Sequence, residues 1–196
     1  MSLSLVTAPA VEPVTLADAK LQLGLSPYED TDHIRSEQLA AKLRRYITAA
    51  RAMCEDYTRR ALITQVWVQR MDGWRNPILL PKPPFQGIVG FTYVDTSGAT
   101  QDASVYTYQL DHGSETQPAR IAPPWATPWP PLRLVQNSVA ITFRCGYGDT
   151  GASVPPQITQ AILFLVEWMY NTGGSVDTAM PRIVTSLLDP YRNLVS

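Results

Sequence analysis

The chain has 196 residues, 45% of them hydrophobic and 17% charged, with a formal net charge of −1. That length and composition fit one or two small globular domains. The near-neutral balance gives no support for an electrostatic grip on nucleic acid or on an anionic membrane. Cys54 and Cys145 show no CxxC pairing and read as buried free thiols, not as a disulfide framework or a metal site. Met1 to Ala10 lacks the basic start and long apolar core of a signal peptide, so synthesis in the cytoplasm is the expectation.

In chain order, Pro13-Val14-Thr15-Leu16-Ala17-Asp18 predicts a helix start. Thr15 is the cap, Asp18 completes a capping box, and Gly24 offers a left-handed stop. An acidic turn, Tyr28 to Asp32, leads into a second helix from about His33 to Arg60, roughly 40 Å long. Its apolar stripe is Leu39, Leu43, Tyr46, Ile47, Ala50, Met53, Cys54 and Tyr57, at spacings of three and four. Arg44, Arg45, Arg51, Arg59 and Arg60, interspersed with Glu37, Glu55 and Asp56, predict a mixed, solvated face, not a phosphate-binding stripe.

From Ile63 the period becomes two. Strands are predicted over 63–71, 78–80, 87–94, 105–110 and 138–145, with prolines 81, 83 and 84 between elements and Asp95-Thr96-Ser97-Gly98 as a hairpin turn. No helix is predicted between them, which argues for antiparallel pairing. Pro118 to Pro131 contains six prolines with Trp125 and Trp129, and reads as an ordered extended loop pinned by its tryptophans, or as a recognition arm.

Pro155-Pro156 open the segment around which the chain is organised. Pro fits the first helical turn, because its missing N–H would have no partner there. Ile158, Ala161, Ile162, Leu165, Trp168 and Met169 form one stripe, and Leu163, Phe164 and Val166 carry apolar character round the helix until Gly173-Gly174. A helix apolar on most faces is buried in a domain or between subunits, and at about 16 residues, roughly 24 Å, it is too short to span a bilayer. Pro181 starts a last short helix with Ile183, Val184, Leu187 and Leu188, ended by Asp189-Pro190 and followed by Tyr191 to Ser196.

The expected fold class is α+β. N- and C-terminal helices form a helical bundle, with an antiparallel β-module inserted between them. The segments are N-terminal helices over 1–62, the β-module over 63–150, and C-terminal helices with a tail over 151–196, as one compact unit overall.

No catalytic, cofactor-binding or metal-ligating constellation stands out. Gly146-Tyr147-Gly148-Asp149-Thr150-Gly151 spells GxGxxG after a strand, but Pro155-Pro156 delay the helix and no βαβ unit follows. A strand-to-helix turn using glycines for positive φ explains it better. His33 and His112 have no ligand spacing, no serine sits in a GxSxG elbow, and Glu29, Asp30 and Asp32 lack a calcium-loop pattern.

The order of segments says more. Pro13-Val14-Thr15-Leu16-Ala17-Asp18-Ala19-Lys20 is followed by Glu55-Asp56-Tyr57-Thr58-Arg59-Arg60-Ala61-Leu62-Ile63-Thr64-Gln65. Then come Leu80-Pro81-Lys82-Pro83-Pro84, Tyr93-Val94-Asp95, Cys145-Gly146-Tyr147-Gly148-Asp149, Val154-Pro155-Pro156-Gln157-Ile158 and Pro190-Tyr191-Arg192. Over nearly its whole length the chain resembles the head–tail connector (adaptor) family of long-tailed double-stranded DNA phages, prophages and gene transfer agents.

The resemblance implies a dodecameric ring of this chain beneath a portal protein, carrying a stopper or tail-completion protein. Genomic DNA would pass through the lumen without sequence-specific binding. It implies a virion or phage-like particle made in a bacterial cytoplasm, no cofactor, no enzymatic activity and no membrane. A tail-completion or tail-terminator protein is the alternative, and an enzyme or a small DNA-binding module would be further from the pattern. The implied portal interface is Leu187, Leu188, Tyr191, Arg192, Asn193, Leu194, Val195 and Ser196. Ile158, Ile162, Leu165, Trp168 and Met169 are the expected subunit-packing residues, since so apolar a helix wants neighbours from its own or adjacent copies.

Overall fold

The two hydrophobic periods of the sequence, three to four residues at its ends and two in its middle, separate into two compact units in the computed structural model. It describes residues 1–25, 33–115, 117–173 and 180–193. The helical unit comprises Val11–Ile63 and Gly148–Arg192; the β unit comprises Met1–Ala10, Thr64–Tyr147 and the residues from Asn193 on. The fold class is α+β, with four α-helices and two antiparallel sheets among the described residues.

The helical unit holds α1 (Leu16–Gln22), α2 (His33–Thr58), α3 (Pro156–Thr172) and α4 (Arg182–Leu188). The capping box at α1 forms as its spacing predicts. Asp18 N–H donates to Thr15 Oγ1 at 3.1 Å, and Asp18 Oδ2 accepts from Thr15 N–H at 2.8 Å. The Thr15 hydroxyl, donating to Asp18 Oδ2 at 2.7 Å, and then the Thr15 N–H hold the Asp18 carboxyl below its ordinary value. α2 buries Leu43, Ile47, Ala50 and Cys54, and ends with Arg59 in the left-handed region at φ 56°. Arg60 N–H then bonds Glu55 C=O at 3.1 Å, the six-to-one closure of a Schellman stop. α3 buries Ile158, Ala161, Ile162, Leu165, Val166 and Met169, and closes on Gly173 at φ 65°. Each fully buried Ile or Leu here contributes about 1.5–3 kcal/mol of transfer free energy.

The β unit holds β1 (Ser2–Thr7), β2 (Gln65–Met71), β3 (Ile78–Leu80), β4 (Phe85–Val94), β5 (Thr100–Asp102), β6 (Gln109–Asp111), β7 (Ala119–Ala122) and β8 (Val139–Cys145). They form a five-stranded sheet, β1-β2-β8-β4-β5, and a three-stranded sheet, β3-β7-β6, antiparallel throughout. Along β8, Val139, Ile141, Phe143 and Cys145 alternate into the core. At the β4–β5 hairpin, Asp95 Oδ1 accepts from Ser97 N–H at 2.9 Å and Ala99 N–H at 3.0 Å, and Gly98 takes φ 93°. Side-chain bonds from Ser97 and Gln101 pull the Asp95 carboxyl down to about 2.

Several local expectations change. The strand predicted over 105–110 is a 3₁₀ turn (Ala103–Val105) followed by β6, because its tyrosines pack on β4 instead of joining a ladder. Tyr106 OH lies 3.0 Å from Tyr93 OH, and Tyr108 meets Phe91 edge-on at 5.8 Å. Of the three glycines in the GxGxxG run, only Gly146 uses a positive φ, 126°. Gly151 is needed for close approach: a Cβ there would sit 2.4 Å from Pro13 O. In the proline-rich loop, Trp129 is pinned as expected, stacked on Trp74 at 4.7 Å with its indole N–H on Arg75 O at 3.1 Å. Trp125 is not: it is 93% exposed.

Candidate assembly surfaces

The implied portal interface begins in α4 and continues into the 3₁₀ turn Asp189–Tyr191. Leu188 is fully buried and Asn193 nearly so, Leu187 and Tyr191 are half-buried, and Arg192 is exposed. Leu194, Val195 and Ser196 lie outside the described residues.

Side chains of α2 and α3, and Arg60 just beyond the end of α2, clamp that turn from within the helical unit. Arg60, fully buried, donates from Nε to Tyr191 C=O and holds its guanidinium 5.8 Å from the Tyr191 ring centroid. Tyr191 OH donates to Gln157 Oε1, and Tyr57 OH donates to Asp189 Oδ1 at 2.6 Å. The bond to Asp189 raises the Tyr57 hydroxyl above its ordinary value. Arg192 lies 5.1 Å over the Tyr57 ring.

A second network ties α2 to the chain before α1. Arg51 donates from Nε to Glu12 Oε2 and from Nη1 to Glu55 Oε2, both at 2.8 Å, and Thr48 Oγ1 donates to Glu12 Oε1 at 2.8 Å. Glu55 Oε1 accepts the Leu62 N–H at 3.0 Å, beyond the helix end. The basic face read as solvated is therefore divided. Arg44 and Arg45 are exposed, but Arg51 is largely covered and Arg60 wholly buried, each spent on internal partners.

Sequence reasoning found neither network. The Arg51–Glu55 spacing of four was the available signal for one; nothing in the sequence pairs Glu12 with Arg51 or Arg60 with Tyr191.

On α3, Ile158, Ile162, Leu165 and Met169 face the interior of the helical unit, and Trp168 is half-buried, as are Leu163 and Phe164. A hollow of about 750 Å³ opens on the same unit, with a mixed lining in which Leu21, Pro156 and Leu163 alternate with Glu12, Thr15, Asp18, Gln22, Thr159 and Gln160. Leu21 is 81% exposed there.

His112 packs edge-on to Phe85 at 5.5 Å. Burial, with Glu55 adding to it, pushes the Cys54 thiol up to about 12. Among the described residues no group of three or more His, Cys, Asp or Glu is placed to hold a metal ion, and no helix is long and apolar enough to cross a membrane.

No protein-family model matches the chain, and no curated protein does. Solved structures do. A chain of the neck of an empty gene transfer agent (GTA) particle, computed with C6 symmetry, superposes with a TM-score of 0.80 at 26% identity, covering 100% of this chain and 97% of that one. The chain has the fold of a gene transfer agent neck component. Chains of the virion of a native GTA particle and of a native GTA neck computed with C12 symmetry match with TM-scores of 0.77 and 0.72. Each is 24% identical, with the same coverage.

Proposed function

We propose that this chain is a structural neck subunit of a phage-like particle. It would be a head-to-tail connector, or adaptor, that assembles with its own copies into a ring below a portal, extends the DNA channel and carries a stopper or tail-completion protein. The observation that supports this best is the fold likeness, which runs end to end in both chains instead of covering a shared module. The neck computed with C12 symmetry supports a dodecamer. A net charge of −1, with Arg51 and Arg60 engaged internally, suits a lumen through which DNA slides, since each neutralised phosphate would strengthen non-specific retention. The subunit works by contact and geometry, without a cofactor or a catalytic step.

In this reading the C-terminal segment meets the portal. Leu188 and Asn193 are committed to the fold, which leaves Arg192, the exposed parts of Leu187 and Tyr191, and residues 194–196 for docking. Removing residues 194–196 keeps every described bond to the turn, so the truncated subunit should fold normally but attach poorly to the portal. Normal particles from that truncation would refute the docking role.

The deciding experiment is electron microscopy of particles from cells making a tagged copy. A ring between portal and tail supports the adaptor. A position on the tail tube transfers the chain to the tail-completion reading, and absence from particles overturns both.

A further inference from the structure

β1 is an open edge. It pairs with β2 on one side, and among the described residues nothing pairs with the other. Such an edge offers free N–H and C=O groups to another strand, and most proteins blunt theirs with shortness, charge or proline. The other three sheet edges are blunted in that way. β3, β5 and β6 have three residues each; β5 carries Asp102, β6 carries Asp111, and β3 lies between Pro77 and Pro81. β1 runs for six residues without a charge or a proline, and the bulge beyond Leu5 leaves Ser2 to Leu5 in regular register.

Its side chains favour a second copy of β1 as the strand that covers this edge. Leu3 and Leu5 stand opposite Gln69 and Trp67, on the face of the sheet where Ile141 and Phe143 are buried, yet Leu5 is 46% exposed because the sheet stops there. Ser2 and Ser4 alternate onto the other face. Two β1 strands set antiparallel about a two-fold axis at Ser4 place Leu3 of each copy against Leu5 of the other, and Ser4 against Ser4. Leucine meets leucine, serine meets serine, and no like charges are opposed. The same operation on β5 or β6 brings two carboxylates into one short ladder.

We propose that the free subunit is a two-fold dimer paired through β1, joining two five-stranded sheets into one. The contact is isologous, whereas a closed ring is built from heterologous contacts. On the ring reading above, the β1 pair therefore belongs to the subunit before it enters the ring. A strand pair this short covers less than the roughly 1,200 Å² of a stable interface, so the dimer is weak and yields to ring assembly.

Sedimentation velocity of the purified full-length chain tests this over about 1–300 µM. The mean mass should climb towards twice that of one chain. A chain that stays single throughout, or grows past two copies, overturns the proposal. Ser4→Lys opposes two ammonium groups at the axis and should weaken dimerisation about tenfold or more, with Tm unchanged at low concentration. Ser4→Glu should do the same. An equal mixture of the two variants should recover the dimer, because opposite charges then meet at the axis. A dimer indifferent to these changes, or a mixture that stays single, overturns the β1 contact. Ser4→Cys gives a covalent readout with a short bismaleimide. Dimeric chains should be linked at position 4, since Cys54 and Cys145 are both buried. No linkage in solution overturns the contact, and linked pairs inside ring-bearing particles overturn its assignment to the free subunit. None of these results alters the particle images that decide the adaptor reading, so the two fail separately.

Discussion

Replacing Arg60, just beyond α2, with alanine should destabilise the protein more than a change at any arginine of α2 itself. The side chain has no exposed surface, donates to the Tyr191 carbonyl and covers the Tyr191 ring. A charge-assisted hydrogen bond contributes about 1.5–3 kcal/mol, and a desolvated cation–π contact about 1–2 kcal/mol. Truncating the methylene stem removes packing on top of these, so a loss of about 4 kcal/mol follows. For a chain of this size that is a fall in Tm of roughly 8–16 °C. Differential scanning calorimetry reads it directly. Arg60→Met keeps most of the stem and should lose less, while Arg44→Ala, on the exposed part of the helix, should stay within about 0.5 kcal/mol of the parent. The clamp also predicts faster tryptic cleavage after Arg192 in Arg60→Ala. An Arg60→Ala protein melting within about 2 °C of the parent would refute the reasoning.

The glycines on either side of α3 separate two mechanisms. Gly151→Ala places a Cβ 2.4 Å from Pro13 O and should cost about 1–3 kcal/mol, whereas Gly173→Ala meets open space and should cost about 1 kcal/mol through its left-handed φ; denaturant midpoints check the order. Asp95 titrates at about 2 instead of the ordinary 3.8, so its hairpin contribution is complete above 3.8 and disappears as pH falls through 2. A carboxyl NMR titration with a midpoint at or above 3.8 would contradict that. Cys54 and Cys145 are both buried, and Cys54 is raised to about 12, so neither should react with a disulfide reagent until the protein unfolds. Ile162→Ala, at a site with no exposure, should cost about 2–5 kcal/mol by chemical denaturation.

The elements most legible in the sequence are those with one buried face. α2, α3 and β8 show their periods because Leu43, Ile47, Ile162, Leu165, Ile141 and Phe143 each return to a core at the spacing of their element. β1 was invisible for the opposite reason: nearly all of its residues are exposed, so no alternation marks it, and it exists through pairing with β2, as in Leu5 opposite Trp67. β7 hides among prolines, which flank but do not enter it. The clamp on the C-terminal turn joins Arg60 to Tyr191 across 131 positions, and no local pattern encodes such a pair. The proline-rich loop was half legible. Trp129 is half-buried on Trp74, as a pinning aromatic should be, while the exposure of Trp125 goes against the usual fate of that side chain.

The central place of β8 imposes an order on biosynthesis. It pairs with both β2 and β4, yet it leaves the ribosome after both, and its Cys145 partners a residue 80 positions earlier. At about 5–20 residues per second the β2 edge waits roughly 4–16 s for its neighbour. During that interval Val66, Trp67 and Val68 can be covered on only one side, by β1, and the nascent chain is open to wrong strand partners. Crowding many nascent copies on one message would raise that hazard, so fast elongation through the β module or early chaperone capture should increase the yield of folded subunits.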